Sequence, residues 1–328
     1  MISSMPMLHR ARKHPATRKL TSSLAAISAL ACVLLGVVGV TTAQATPAVP
    51  HTSFTDYVRS SSTTTAFNMG YSEGQNDADF GEQDIVAVLD FGGQLSGATG
   101  TDTVNGISLS NSAIENIAEQ FALGYFGGTG SDTTSTMLLS LGTNDSLYSV
   151  DSSGGSTWGG IVNAVASYAE TNLKQVIVTG GDDIEPGFGT PASSAIAWAN
   201  GFGGKSTYYY DDYGSADGCP QSSYNNSQGC ENSWTQWDEW DVAYGLSPAN
   251  VIPEIYNSQQ GLQWTMISLY GADYKSTPIR FLGVMDEYDL DSSTYSTSVS
   301  WNDLCNDLDS HSATAITPIY NTEIFDEG

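Results

Sequence analysis

Asp183 and Glu185, within Val178-Thr-Gly-Gly-Asp-Asp-Ile-Glu-Pro-Gly-Phe188, are the side chains best placed by type and spacing to do chemistry. In extended backbone, residues two apart share a face. Pro186 biases Glu185 toward that extended conformation. Two carboxyls on one face repel, so one keeps its proton while the other stays ionised. Such a pair can protonate a leaving oxygen while an anion stabilises or attacks a cationic carbon, which is what glycosidic cleavage requires. The same acids could alternatively satisfy the free N–H groups of a following helix.

Other acids stand beside other apolar runs of strand length. Asp90 lies near the end of Ile85–Phe91, and Asn144 and Asp145 follow Thr136–Leu141. Gln175–Thr179 precedes the Asp183 segment, and Asp211 and Asp212 follow Ser206–Tyr210. Glu254 lies within Val251–Tyr256, Asp286 follows Ile279–Met285, and Ala315–Tyr320 is the last run. Segments with apolar residues at helical spacing separate them: Ser112–Phe121, Trp158–Ala169, Pro191–Asn200, Ser233–Tyr244, Gly261–Tyr270 and Ser298–Leu308. Apolar strands alternating with helices imply a parallel sheet covered on both faces. The length and count predict a (β/α)8 barrel over residues 67–328, with an eighth strand at Thr65–Tyr71. An open doubly wound parallel sheet is the alternative, disfavoured because no Gly-x-Gly-x-x-Gly follows the first strand. In a barrel, the carboxyl ends of the strands carry the chemistry. Trp234, Trp237 and Trp240 recur every three residues, a stripe expected to pack in the core, as is Trp264.

An Asp-x-Glu at a strand end, an earlier strand-end Asp, and Pro253-Glu-Ile-Tyr256 together resemble the barrel glycoside hydrolases of the chitinase and muramidase type. The resemblance spans about residues 80–325, and is closest to secreted actinobacterial proteins of that superfamily. It implies Glu185 as general acid and Asp183 as its partner, with Asp90, Glu254, Tyr256, Asp211 and Asp286 lining a cleft for a neutral carbohydrate. Of the chitinase pattern Asp-x-x-Asp-x-Asp-x-Glu only the last half is present, since Gly181 and Val178 stand at the two earlier acidic positions. A glycan-binding barrel without catalysis is one alternative. An SGNH-type esterase is another: Gly142-Thr-Asn-Asp145 matches one of its blocks, but no Gly-Asp-Ser nucleophile is present, and His311 is off by one from its Asp.

Residues 1–45 read as a secretion signal: five Lys and Arg within residues 1–19, an apolar stretch Leu24–Val40, and Ala43-Gln-Ala45 for cleavage. Residues 46–66 read as a flexible linker. The chain carries −26, and the leader holds five of its ten Lys and Arg and no acid. The charge of the exported form is therefore near −31 on the same count. Such a surface repels nucleic acid and anionic membranes. Cys219 and Cys230 suit a disulfide across a surface loop, and Cys305 a buried thiol. No metal or cofactor is expected, because Asp77–Asp84 misplaces the glycine and the last glutamate of a calcium loop. The reading is of a secreted monomer.

Overall fold

The computed structural model describes residues 48–81, 84–246, 249–286, 295–315 and 320–325. The stretch read as a signal lies outside them. Ten strands occur in chain order: β1 (Thr52–Tyr57), β2 (Ile85–Gln94), β3 (Gly100–Asp102), β4 (Ser108–Ser110), β5 (Met137–Asn144), β6 (Val176–Asp183), β7 (Tyr210–Asp212), β8 (Ala249–Val251), β9 (Met285–Asp286) and β10 (Asn321–Phe325). The helices between them are α1 (Thr63–Asp79), α2 (Asn111–Gly128), α3 (Ser152–Asn172), α4 (Ala192–Lys205), α5 (Gln236–Trp240), α6 (Ser258–Tyr270) and α7 (Thr297–Asp309).

Eight strands run parallel in the order β8-β7-β6-β5-β2-β1-β10-β9. The two ends of that series meet through isolated parallel bridges, Val251 with Phe281 and Glu254 with Met285. The backbone bonds Leu282 N–H to Val251 O, at 2.8 Å, and Ile255 N–H to Met285 O, at 2.9 Å, tie the same seam. The architecture is thus a (β/α)8 barrel, and the open-sheet alternative falls away. β3 and β4 form an antiparallel hairpin hung on the end of β2.

Alternation along β2 divides the core in two. Ile85, Ala87, Leu89 and Phe91 pack outward against the helices. Val86 and Val88 point inward with Tyr213, Ile252, Leu282 and Met285. Trp158, Trp198, Trp234 and Trp264 are fully buried, so Trp234 and Trp264 pack in the core as expected.

Two assignments near the start are corrected. Residues 46–66 are not merely a linker, because they contain β1. That strand buries Ser53, Thr55 and Asp56, and small hydroxyls replace the apolar side chains that usually announce a strand. The Thr55 hydroxyl meets that of Thr322 at 2.5 Å, and the Ser53 hydroxyl accepts from Val86 N–H. The expected strand at Thr65–Tyr71 is instead part of α1, capped by Ser62, which accepts from Thr65 N–H. Its buried residues Ala66, Gly70 and Gly74 recur every four positions, a helical period.

Glycine is what lets α1 and α2 touch backbone to backbone. A Cβ at Gly124 would lie 2.1 Å from the Phe67 carbonyl oxygen. Gly124→Val is therefore expected to destabilise the protein by about 2–3 kcal/mol. A thermal melt should show the midpoint falling by roughly 5–10 °C.

Candidate functional site

β6 carries two kinds of acid to the C-terminal mouth of the barrel. Its register against β5 and β7 sets Gly181 beside Gly142 and Asp211, and Asp183 beside Asn144. Asp183 therefore faces the interior, while Asp182 faces the helices. Past the strand, Glu185 keeps extended backbone (φ −133°, ψ 132°). Its carboxylate accepts the Ser215 N–H at 3.1 Å. Glu254 reaches the same place from beyond β8, at the barrel seam.

One carboxylate oxygen from each of Asp183, Glu185 and Glu254 lies within 4.8 Å of the other two. Glu185 and Glu254 share a side-chain hydrogen bond, which two carboxyls can form only when one is protonated. Asp183 is 6 % exposed, and its Oδ1 has no hydrogen-bond donor. Burial first, and then the charges of Glu185 and Glu254, push the Asp183 carboxyl well above the usual range. Burial also raises Glu185.

The other expected site residues are placed as follows. Asp90 and Asp211 lie on the interior face one layer below Asp183. Asp90 meets Gly92 N–H and the Tyr213 hydroxyl. Asp211 accepts from Thr179 at 2.6 Å and Asn250 at 3.4 Å, and burial raises it to about 6. Tyr256 is half-buried at the start of α6, and its N–H donates to Gln260 at 2.6 Å. Asp286 follows the inward Met285 on β9, so it turns toward the helices, away from the mouth. The structure thus brings Glu254 to the Asp183–Glu185 pair and leaves the rest outside the group.

Behind this group, on the helix side, Asp145, Asp182, Asp212 and Glu239 are all buried. Asp145 Oδ2 and both side-chain oxygens of Asp182 and of Glu239 lack donors. Burial raises all four; the charge of Asp212 adds to the shift of Asp145, Asp182 and Glu239, and that of Glu185 to the shift of Asp212. Glu239 was not legible as a site residue, because it sits in the tryptophan-rich α5 behind the Thr235–Asp238 capping box. Meanwhile most of the cations stand elsewhere. Lys174 and Arg280 precede β6 and β9, and Lys205 and Lys275 end helical stretches, so these four occupy the opposite end of the barrel, while Arg59 follows β1 at the mouth.

A cavity of about 350 Å³ lies at the rim beside the β3–β4 hairpin, lined by Tyr57, Gly92, Gly93, Asp102, Thr103 and Asn144 among others, and none of the three acids lines it. The loop after β7 that supplies Ser215 is closed by the Cys219–Cys230 disulfide. Cys305 is a buried free thiol. Among the described residues, no helix is long and apolar enough to cross a membrane.

No protein-family model matches the chain, and no curated protein matches it. Among solved structures, it is similar to a mandelate racemase/muconate lactonizing enzyme of Labrenzia alexandrii DFL-11, with 11% identity and a TM-score of 0.43. That match covers 85% of this chain and 55% of the other. A mandelate racemase/muconate lactonizing enzyme from Jannaschia sp. CCS1 matches at 9% identity and a TM-score of 0.39, over 84% of this chain and 55% of that one. The chain spans about 55% of the length of each. These findings correct the glycoside-hydrolase resemblance, and with it the expected glycoside hydrolysis. The solved structures that the chain matches are described as racemase and lactonizing enzymes, not glycosidases. The half-present motif has a local reason: the third acid of the group is Glu254, from beyond β8, and the positions earlier on β6 are Gly181 and Val178. The esterase alternative fails as well, because His311 follows α7 at the end of the barrel opposite Asn144.

Proposed function

We propose that the protein binds one hard divalent cation through Asp183, Glu185 and Glu254 and uses it on an oxygen of a small molecule at the barrel mouth. The observation that carries this is the buried, donorless Oδ1 of Asp183, directed into a group of carboxylates with cation-ligand spacing. A buried anion without a partner is expensive, and a bound cation removes the cost. All-carboxylate oxygen ligation suits Mg²⁺, Ca²⁺ or Mn²⁺ over softer metals. Such an ion polarises an oxygen of a bound molecule. Ser215 N–H holds Glu185 in place.

The proposal includes a working place outside the cytoplasm, supported by the leader-like first 45 residues and by the Cys219–Cys230 disulfide. Calorimetric titration of the metal-stripped protein with Mg²⁺, Ca²⁺ and Mn²⁺ tests the central reading. Saturable binding of one ion per chain is expected, weakened at least tenfold in Glu254→Gln. Heat no greater than that of dilution for all three ions would overturn it.

A further inference from the structure

We infer that Asp90 is a neutral carboxylic acid that donates its proton to the Tyr213 hydroxyl, and that the pair is a positioning floor beneath Asp183. The inference rests on counting protons. The Tyr213 hydroxyl oxygen lies 2.8 Å from Asp90 Oδ2 and 2.6 Å from the Thr143 carbonyl oxygen. A phenol carries one hydrogen, and a carbonyl carries none. If tyrosine gave its hydrogen to Asp90, two bare oxygens would face each other at 2.6 Å across the gap to Thr143. If tyrosine gives it to Thr143, the gap to Asp90 needs a proton, and only the carboxyl can supply one. The other oxygen, Oδ1, accepts Gly92 N–H, a role it keeps when the acid is neutral.

The surroundings agree. Asp90 is 2 % exposed, and burial raises its carboxyl. A charge on Asp90 would raise the carboxyls of Asp182 and Asp183, so a neutral Asp90 spares that repulsion. The bonds from Gly92 N–H and Asn144 oppose that shift only in part. The strands are built to admit the ring. A Cβ at Gly142 would meet the Tyr213 hydroxyl oxygen at 2.3 Å, and one at Gly181 would meet the ring at 2.9 Å. Gly181 is two residues before Asp183 on the same face, so Tyr213 lies directly under that carboxyl. Asp90 thus fixes Tyr213 without adding a fourth charge beneath the three ligands.

The proton assignment stands apart from the cation reading, and only the affinity test below rests on it. Infrared difference spectra of the wild-type protein against Asp90→Asn should show a protonated-carboxyl C=O band present in the first and missing in the second. In Tyr213→Phe, which removes the acceptor, that band should move to higher frequency. Asp90→Asn should fold, because the amide offers the same donor to Tyr213 and the same acceptor to Gly92. Its Mg²⁺ affinity should stay within about twofold, whereas deleting an ionised Asp90 would weaken binding by about tenfold or more. Loss of a carboxylate band in place of the acid band, or a tenfold loss of affinity in Asp90→Asn, would overturn the inference. A protein that binds no Mg²⁺ at all would sink the proposed function, while the infrared comparison would still decide the state of Asp90.

Discussion

Stripped of divalent cations, the protein is expected to lose stability steadily as the pH rises from about 4 to about 8, the window spanned by the buried Asp212, whose carboxyl is raised from 3.8 to about 8. A carboxyl raised in the folded state holds its proton there while the unfolded chain has already released it. Between the two values the native state binds more protons, so the free energy of unfolding falls as pH climbs. Below the unfolded value both states are protonated and the full stability is present; above the folded value the loss is complete. Asp211, raised to about 6 by burial, adds to the same trend, and Asp145, Asp182, Asp183 and Glu239 shift in the same direction. One pKa unit corresponds to about 1.4 kcal/mol, so the whole change amounts to several kcal/mol. Added Mg²⁺ or Ca²⁺ should recover part of it at pH 8, because an ion that binds only the folded state raises its stability by mass action. Thermal melts at pH 5 and pH 8, with chelator and with each ion, measure this. A melting point that is higher at pH 8 in chelator would refute the argument.

Asp183→Asn is expected to move two quantities in opposite directions. The substitution removes a charge that is buried and donorless in the ion-free protein, so the chelated form should become more stable at pH 8 by about 1–3 kcal/mol. It also deletes one of the three ligands of the group. Changes to residues that merely orient metal ligands already cost 10–100-fold in affinity, so ion binding should weaken by about 100-fold or more. Melting curves with and without Ca²⁺ report both effects at once: a higher starting point and no further gain. A mutant destabilised in chelator yet still raised by Ca²⁺ would show that Asp183 holds the fold and not an ion.

The barrel was legible because its central strands are apolar on both faces. Ile85–Phe91 and Thr136–Leu141 read as strands and proved to be the cores of β2 and β5. β1 was not, because Ser53, Thr55 and Asp56 are polar groups satisfied by distant partners, such as Thr322. No local pattern reveals a bond across 267 residues. The Asp183–Glu185 alignment could be read from alternation along one strand. The convergence of Glu254 could not, since it depends on the seam that joins residues 254 and 285. Asp286 misled for a simpler reason: a one-residue step on a strand turns an acid from the mouth to the helices.

That seam gives the acid group a second meaning. Every other junction in the ring is a ladder of at least two register pairs between named strands, but the closure beside β8 rests on the isolated bridges at Val251 and Glu254. Glu254 is both a member of the group and a stitch in that closure. An ion shared between it and Asp183 would span from the seam to β6, like a rivet across the loosest joint of a hoop. Loading the site and holding the barrel shut would then be one event, and the concentration of free cation outside would set how long the hoop stays closed.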